Sequence, residues 1–203
     1  MRTFSRSLLQ RLQQEEELIV KTYYVIRHCE ATGQAHDAPL TKQGYKQADA
    51  LTGFFKTIPV DRILSSPFRR AQETILPVAA LQDCPVEIED QLQERILSTS
   101  PLSDWCSALQ ETFVDFDLRF PGGESSREVM ERMTSVLKEA SLHPARHTVL
   151  VTHGNAMALL LHTIDSTFGY DDWQQLQNPD VYRLVQTADG MTCEQMTLHQ
   201  TKT

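Results

Sequence analysis

Apolar residues fall along this chain in two patterns: short unbroken runs, and positions recurring every three or four residues between polar ones. The runs predict strands at 22–27, 60–64, 85–88, 147–152, 181–186 and 191–197. The recurring pattern predicts helices. One covers about 42–56, with Tyr45, Ala48, Leu51 and Phe55 inward. Ser66-Pro67 reads as an N-cap followed by proline at the first helical position, opening a second helix through about residue 81. Ser125 and Glu128 have capping-box spacing, and Val129, Met130, Met133, Val136, Leu137 and Ala140 then repeat at the helical period as a core face. A fourth helix opens near Asn155 and runs through Leu160, Leu161 and Ile164. Alternation of strand and helix predicts βαβ units, hence an α/β fold: a three-layer α/β/α sandwich around a mostly parallel central sheet.

Two segments break the rhythm. Residues 1–20 form an N-terminal extension, in which Arg2, Arg6 and Arg11 precede Glu15-Glu16-Glu17 without a secretory apolar stretch. Residues 96–123 form an insertion bounded by Ser98-Thr99-Ser100-Pro101 and Pro121-Gly122-Gly123, with a short helix around Trp105, Leu109, Phe113 and Phe116; such an insertion caps an active site. The remainder, 21–203, is one domain.

Composition narrows the function. With 203 residues, 40% hydrophobic and 23% charged, the chain can bury a substantial core. A net charge of −8 without a basic stripe argues against nucleic acid and anionic membranes as partners. No stretch reaches the roughly 20 apolar residues that span a bilayer. Cys29, Cys84, Cys106 and Cys193 are far apart and form no metal or redox motif, which fits reduced thiols and a cytoplasmic location. Oligomeric state is not legible.

The apolar runs at 23–26 and 149–152 both end in histidine, giving Arg27-His28 and His153-Gly154-Asn155. Ligands bind at the carboxyl ends of strands in open α/β sheets, so two histidines 125 residues apart are delivered to one place. Arg27-His28-Cys29-Glu30 resembles the R-H-G-E signature of the histidine phosphatase superfamily, which includes the cofactor-dependent phosphoglycerate mutases. Further motifs follow in that family's order. Leu40-Thr41-Lys42-Gln43-Gly44 resembles its L-T-x-x-G turn, and the segment Ser65 to Thr74 its S-x-x-x-R-A-x-x-T. Leu92-Gln93-Glu94 resembles the L-x-E carrying the acid, and Pro121 to Ser125 the P-G-G-E-S turn. His153-Gly154-Asn155 completes the set.

The resemblance implies a phosphoglycerate mutase-like fold and a metal-independent phosphomonoesterase working through a phosphohistidine on a small phosphorylated metabolite. His28 is the nucleophile, His153 sits opposite the transferring group, and Glu94 is the proton donor to the leaving oxygen. Arg27, Arg70, Gln34 and Asn155 hold the phosphate, Gln34 standing where the family often has asparagine. Arg69 points to solvent or pairs with an acid, Glu30 is an alternative acid, and Glu124 orients loop backbone. No cofactor and no metal is implied. The alternatives are phosphoryl transfer of the mutase type and a phosphate-recognition module without turnover. Cys29 replaces the signature's glycine; its thiol either lies among the cations with a lowered pKa or is buried and inert.

Overall fold

The central strand β1 (Lys21–Arg27) alternates its side chains between two cores. Tyr23 and Val25 enter one apolar cluster, whereas Tyr24 and Ile26 enter the other. An unbroken apolar run is what a strand covered on both faces requires. The computed structural model describes residues 20–198. The expected extension therefore lies, but for Val20, outside the described residues.

After β1 come α1 (Lys42–Phe54), β2 (Arg62–Ser65), α2 (Arg69–Gln82) and β3 (Val86–Ile88). They are followed by α3 (Trp105–Glu111), α4 (Ser126–Leu142), β4 (His147–Thr152) and α5 (Gly154–Ile164). The chain closes with α6 (Tyr170–Gln175), β5 (Asp180–Thr187) and β6 (Gly190–Gln195). The sheet order is β3-β2-β4-β1-β5-β6. The first four strands are parallel; β5 runs antiparallel to β1, and β6 antiparallel to β5. Helices α4 and α5 cover one face, and α1 and α2 cover the other. This is the expected three-layer α/β sandwich with a mostly parallel sheet.

Several local expectations need correction. Helix α2 begins at Arg69 with Phe68 as its N-cap residue, not at Ser66-Pro67, because the backbone is still extended at Phe68; the Ser66 hydroxyl accepts the Phe68 N–H at 3.3 Å and also meets His153. Tyr45 is 46% exposed, and Gly44 occupies the buried position of α1's first turn. A Cβ on Gly44 would stand 2.0 Å from the carbonyl oxygen of Glu30, so only glycine lets α1 approach the loop after β1. The capping box of α4 forms as read: Glu128 N–H donates to Ser125 Oγ, and Ser125 N–H to Glu128 Oε2 at 2.8 Å. Helix α6 was not anticipated.

Candidate active site

Parallel pairing sets the register that builds the site. β1 and β4 are adjacent with Arg27 opposite Thr152, so the residues that follow, His28 and His153, leave the sheet side by side. The His28 N–H donates to the Thr152 carbonyl at 3.0 Å, and the Ser66 N–H, at the end of β2, donates to Val151 at 2.9 Å. The two imidazole rings stand 5.0 Å apart, centroid to centroid. Both are buried, His28 7% and His153 0% exposed.

Arg70, on the first turn of α2, joins them. Its Nε donates to His28 Nε2 at 3.1 Å, and Nη2 lies 3.2 Å from His153 Nδ1. Nη1 donates to the carbonyls of Gln34 and Ala35 at 3.1 and 3.0 Å, and Nη2 also reaches Gln34 Oε1 at 3.5 Å. The Phe68 ring lies under the guanidinium, 4.7 Å from ring centroid to Cζ, and also 4.9 Å from the His153 ring. Arg69 faces outward and pairs with Glu73 at 2.7 Å.

These partners define the tautomers. His28 Nδ1 is 2.7 Å from the Cys29 carbonyl, which only accepts, so Nδ1 carries the proton and Nε2 presents a lone pair. Guanidinium only donates, so His153 accepts through Nδ1 and carries its proton on Nε2, 2.7 Å from Ser66 Oγ. Burial drives the His28 pKa down to about 4, with the charges of Arg70 and Arg27 pushing the same way against the Cys29 carbonyl. Burial also holds His153 well below 6.5. Both rings are neutral near pH 7.

This has a consequence for stability. The folded-state pKa of His28, about 4, lies below its unfolded value of 6.5, so the unfolded chain takes up the proton first as pH falls. Stability is whole above pH 6.5 and is lost on descending toward pH 4, by roughly 2–3 kcal/mol from this group at pH 4.5. His28→Asn is expected to lose that much less stability than wild type between pH 7 and 4.5, measured by urea midpoints. Parallel losses in the two proteins would contradict it.

Arg27 and Asn155 complete the constellation. Arg27 Nη1 donates to the Leu176 carbonyl at 2.5 Å, while its Nε is buried without a partner among the described residues. Asn155 accepts from Arg95 at 3.5 Å through Oδ1, and its buried Nδ2 is likewise unpartnered. At Gly154 an added Cβ would lie 3.2 Å from the Arg27 guanidinium, close enough to press on it. Unpartnered buried donors are costly in a folded protein, and an anion between these groups would satisfy them.

Glu94 closes the N-terminus of α5. Oε1 accepts from the N–H of Ala156 at 3.0 Å and of Arg95 at 2.9 Å, and Oε2 accepts from that of Asn155 at 3.2 Å. The free amides of a helix N-terminus favour a carboxylate there. Its charge also raises the pKa values of Arg27 and Arg70 against the burial that lowers them. Glu124, by contrast, is structural: it pairs with Arg132 at 2.8 Å and accepts the Ile96 N–H at 3.3 Å. Glu30 is exposed and accepts from Thr41 Oγ1 at 2.6 Å.

Sequence reasoning passed over Ser66 as a partner of His153, Phe68 beneath Arg70, and Arg95. Arg95 is 7% exposed and donates to Thr112, Ser126 and the Glu124 carbonyl besides Asn155. Ser66 carried the serine of the S-x-x-x-R-A-x-x-T motif, but nothing in the sequence tied it to His153; Phe68 and Arg95 had no signal. Cys29 is also resolved: it is 0% exposed in the cluster containing Leu40, Ala48, Ala71 and Ile75, and burial pushes its pKa up to about 12. The buried alternative is the one the fold adopts.

A doubly covered α/β sheet that delivers paired histidines and two arginines to its carboxyl edge defines a class of phosphate-handling proteins. Residues 23–199 match the family model of the histidine phosphatase superfamily (branch 1), and the chain belongs to that superfamily. A probable phosphoglycerate mutase, GpmB, of Cronobacter sakazakii (strain ATCC BAA-894) is 32% identical over 159 residues, covering 70% of this chain and 73% of the relative. Among solved structures, a phosphoglycerate mutase from Bacillus anthracis str. Sterne shares the fold with a TM-score of 0.70 at 19% identity, over 90% of this chain and 95% of that one. A phosphoserine phosphatase mutant from Entamoeba histolytica, in complex with phosphoserine, has a TM-score of 0.70 at 18% identity, over 85% and 94% of the two chains.

Proposed function

We propose that this protein is a metal-independent phosphomonoesterase that works through a phosphohistidine at His28 on a small phosphate ester. The observation that carries this reading is the His28 ring: neutral, its Nδ1 proton fixed on a carbonyl, its Nε2 lone pair aimed at Arg70. An incoming phosphate dianion takes over the N–H groups of Arg70 and meets the unpartnered donors of Arg27 and Asn155. The amide of Gln34, already beside Arg70, joins them.

His28 Nε2 then forms a bond to phosphorus as the bond to the leaving oxygen breaks. The negative charge of the incoming phosphate favours a proton on Glu94 against the amides that hold its carboxylate. Taken up with the substrate, that proton passes from Oε2, which holds a single 3.2 Å bond, to the leaving oxygen, and Glu94 afterwards takes a proton from the water that hydrolyses the phosphohistidine. Charge on the transferring group is met by the arginines and by His153, whose Nδ1 can take a proton once the anion is beside it. The phosphatase names among the structural neighbours support hydrolysis, and the name of the Cronobacter relative supports the alternative, transfer to a second hydroxyl. A cytoplasmic location is proposed from the four cysteines, all of them free thiols.

Rapid quench after mixing with phosphate-labelled ester tests the reading. Label is expected on the protein in an acid-labile, alkali-stable linkage at His28, with phosphate release unaffected by chelator. Acid-stable label, or activity abolished by EDTA and restored by a divalent ion, would overturn it. Formation of an isomeric phosphate ester faster than free phosphate would favour the mutase reading.

A further inference from the structure

The insertion and the segment before β5 carry a group of aromatic rings that none of the chemistry above uses, Phe113 and Trp173 resting on the core cluster and Trp105 standing out into solvent. Trp105, at the start of α3, is 55% exposed. Its ring stands 6.3 Å from that of Trp173 on α6, almost perpendicular to it. Tyr170 lies 5.4 Å from Trp173, and Phe113 lies 5.9 Å from Tyr170.

Both segments carrying these rings are hydrogen-bonded to residues around the phosphate position. Trp173 is followed three residues later by Leu176, whose carbonyl holds Arg27, and then by Asn178, whose Nδ2 donates to the His28 carbonyl at 2.6 Å. Phe113 follows Thr112, which shares Arg95 with Asn155. The rings therefore sit on the two strips of chain that flank the site.

Charge points the same way. Residues 96–123 hold four acidic residues and 165–179 three, against the single Arg119. Arg119 is occupied, pairing with Glu128 at 3.0 Å and donating to the Gly123 carbonyl at 2.8 Å. Arg95 and Arg132 are spent on backbone, hydroxyl and Glu124 partners, and Arg127 pairs with Asp117 of the insertion. Beyond the groups that would hold the phosphate, these elements offer no free cation for a second anion, and a carboxylate there would meet acidic neighbours.

We propose that Trp105, Tyr170 and Trp173 form the leaving-group subsite, and that the substrate is a monophosphate ester of an uncharged aromatic or flat apolar alcohol rather than of a hydroxy acid. This rests on the phosphomonoesterase reading. Perpendicular and tilted indole and phenol rings offer a face and an edge to a flat partner, and each ring that covers apolar surface adds to binding.

Three esters of similar leaving-group chemistry test it: phenyl phosphate, 2-naphthyl phosphate and 4-carboxyphenyl phosphate. The expected kcat/KM is about tenfold higher for 2-naphthyl than for phenyl phosphate, and at least about tenfold lower for the carboxylated ester. In Trp105→Ala and Trp173→Leu the naphthyl-to-phenyl ratio falls to near one. Trp105 is largely exposed, so its variant retains the fold, which circular dichroism checks. A carboxylated ester used as well as phenyl phosphate, or an unchanged ratio in both variants, overturns the subsite. A parallel binding titration of 2-naphthyl and phenyl phosphate, followed by tryptophan fluorescence in His28→Ala, separates the two readings. If no ester is hydrolysed and yet the naphthyl ester binds more tightly in a Trp105-dependent way, the catalytic reading has failed and the subsite stands. Equal binding of both esters would overturn the subsite by itself.

Discussion

His28→Ala is expected to lower kcat/KM for any phosphate ester by on the order of 10⁴-fold or more, because no other neutral imidazole presents a lone pair to the same point. His153 is 5.0 Å away, but its Nδ1 faces Arg70 and its other nitrogen is held by Ser66. The variant must be distinguished from a misfolded one, since alanine removes a buried ring and leaves Arg70 Nε without its partner. His28→Asn, which retains a polar side chain, should lose activity equally while melting closer to wild type. Initial rates, circular dichroism and the quench experiment together check the result. Residual activity within tenfold of wild type in either variant, or a phosphoenzyme still formed, would remove His28 from the mechanism.

Arg70 carries the second large effect. Its N–H groups are divided among His28, His153, Gln34 and Ala35 before any phosphate arrives, so one side chain sets both the spacing of the histidines and the charge between them. Arg70→Ala is expected to cost about 10³-fold in kcat/KM, and Arg70→Lys nearly as much, because a point cation cannot reproduce a planar fork aimed in several directions. Stability falls as well. Arg70 is 1% exposed, and its truncation leaves a cavity and the buried His28 Nε2 and His153 Nδ1 without their partner, worth roughly 2–4 kcal/mol together. Kinetics with one ester and a urea midpoint for each variant decide it; a lysine variant within tenfold of wild type would show that charge alone suffices.

Much of this architecture was legible in local pattern. The doubly buried runs at 23–26 and 149–152 read as strands because a sheet covered on both faces leaves few polar positions, and they lie in β1 and β4. Capping chemistry at Ser125 and Glu128 located the start of α4 because both partners lie within one turn. Helix α6 escaped because six residues without a buried position carry no periodic signal. At Ser66 the local signal was incomplete: its hydroxyl accepts the Phe68 N–H as a cap would, but the helix opens only at Arg69, and the same hydroxyl meets a histidine 87 residues later.

Residue type and order alone determined the pairing of motifs: an arginine before the first histidine, an arginine at the start of α2, an acid after Leu92, and a second histidine before a helix. Such choices are written in the chain because each needs one chemistry at one local backbone position. Tertiary structure decided everything that depends on direction and distance. It brought His28 beside His153 through parallel pairing of β1 with β4, turned Cys29 into the core, buried Arg95, and set Glu94 on the amides of α5. The physical reason is the same in each case. A side chain's partner is chosen by which strand lies next to its own and by which face it leaves, and both are properties of the packed sheet that no local window of sequence contains.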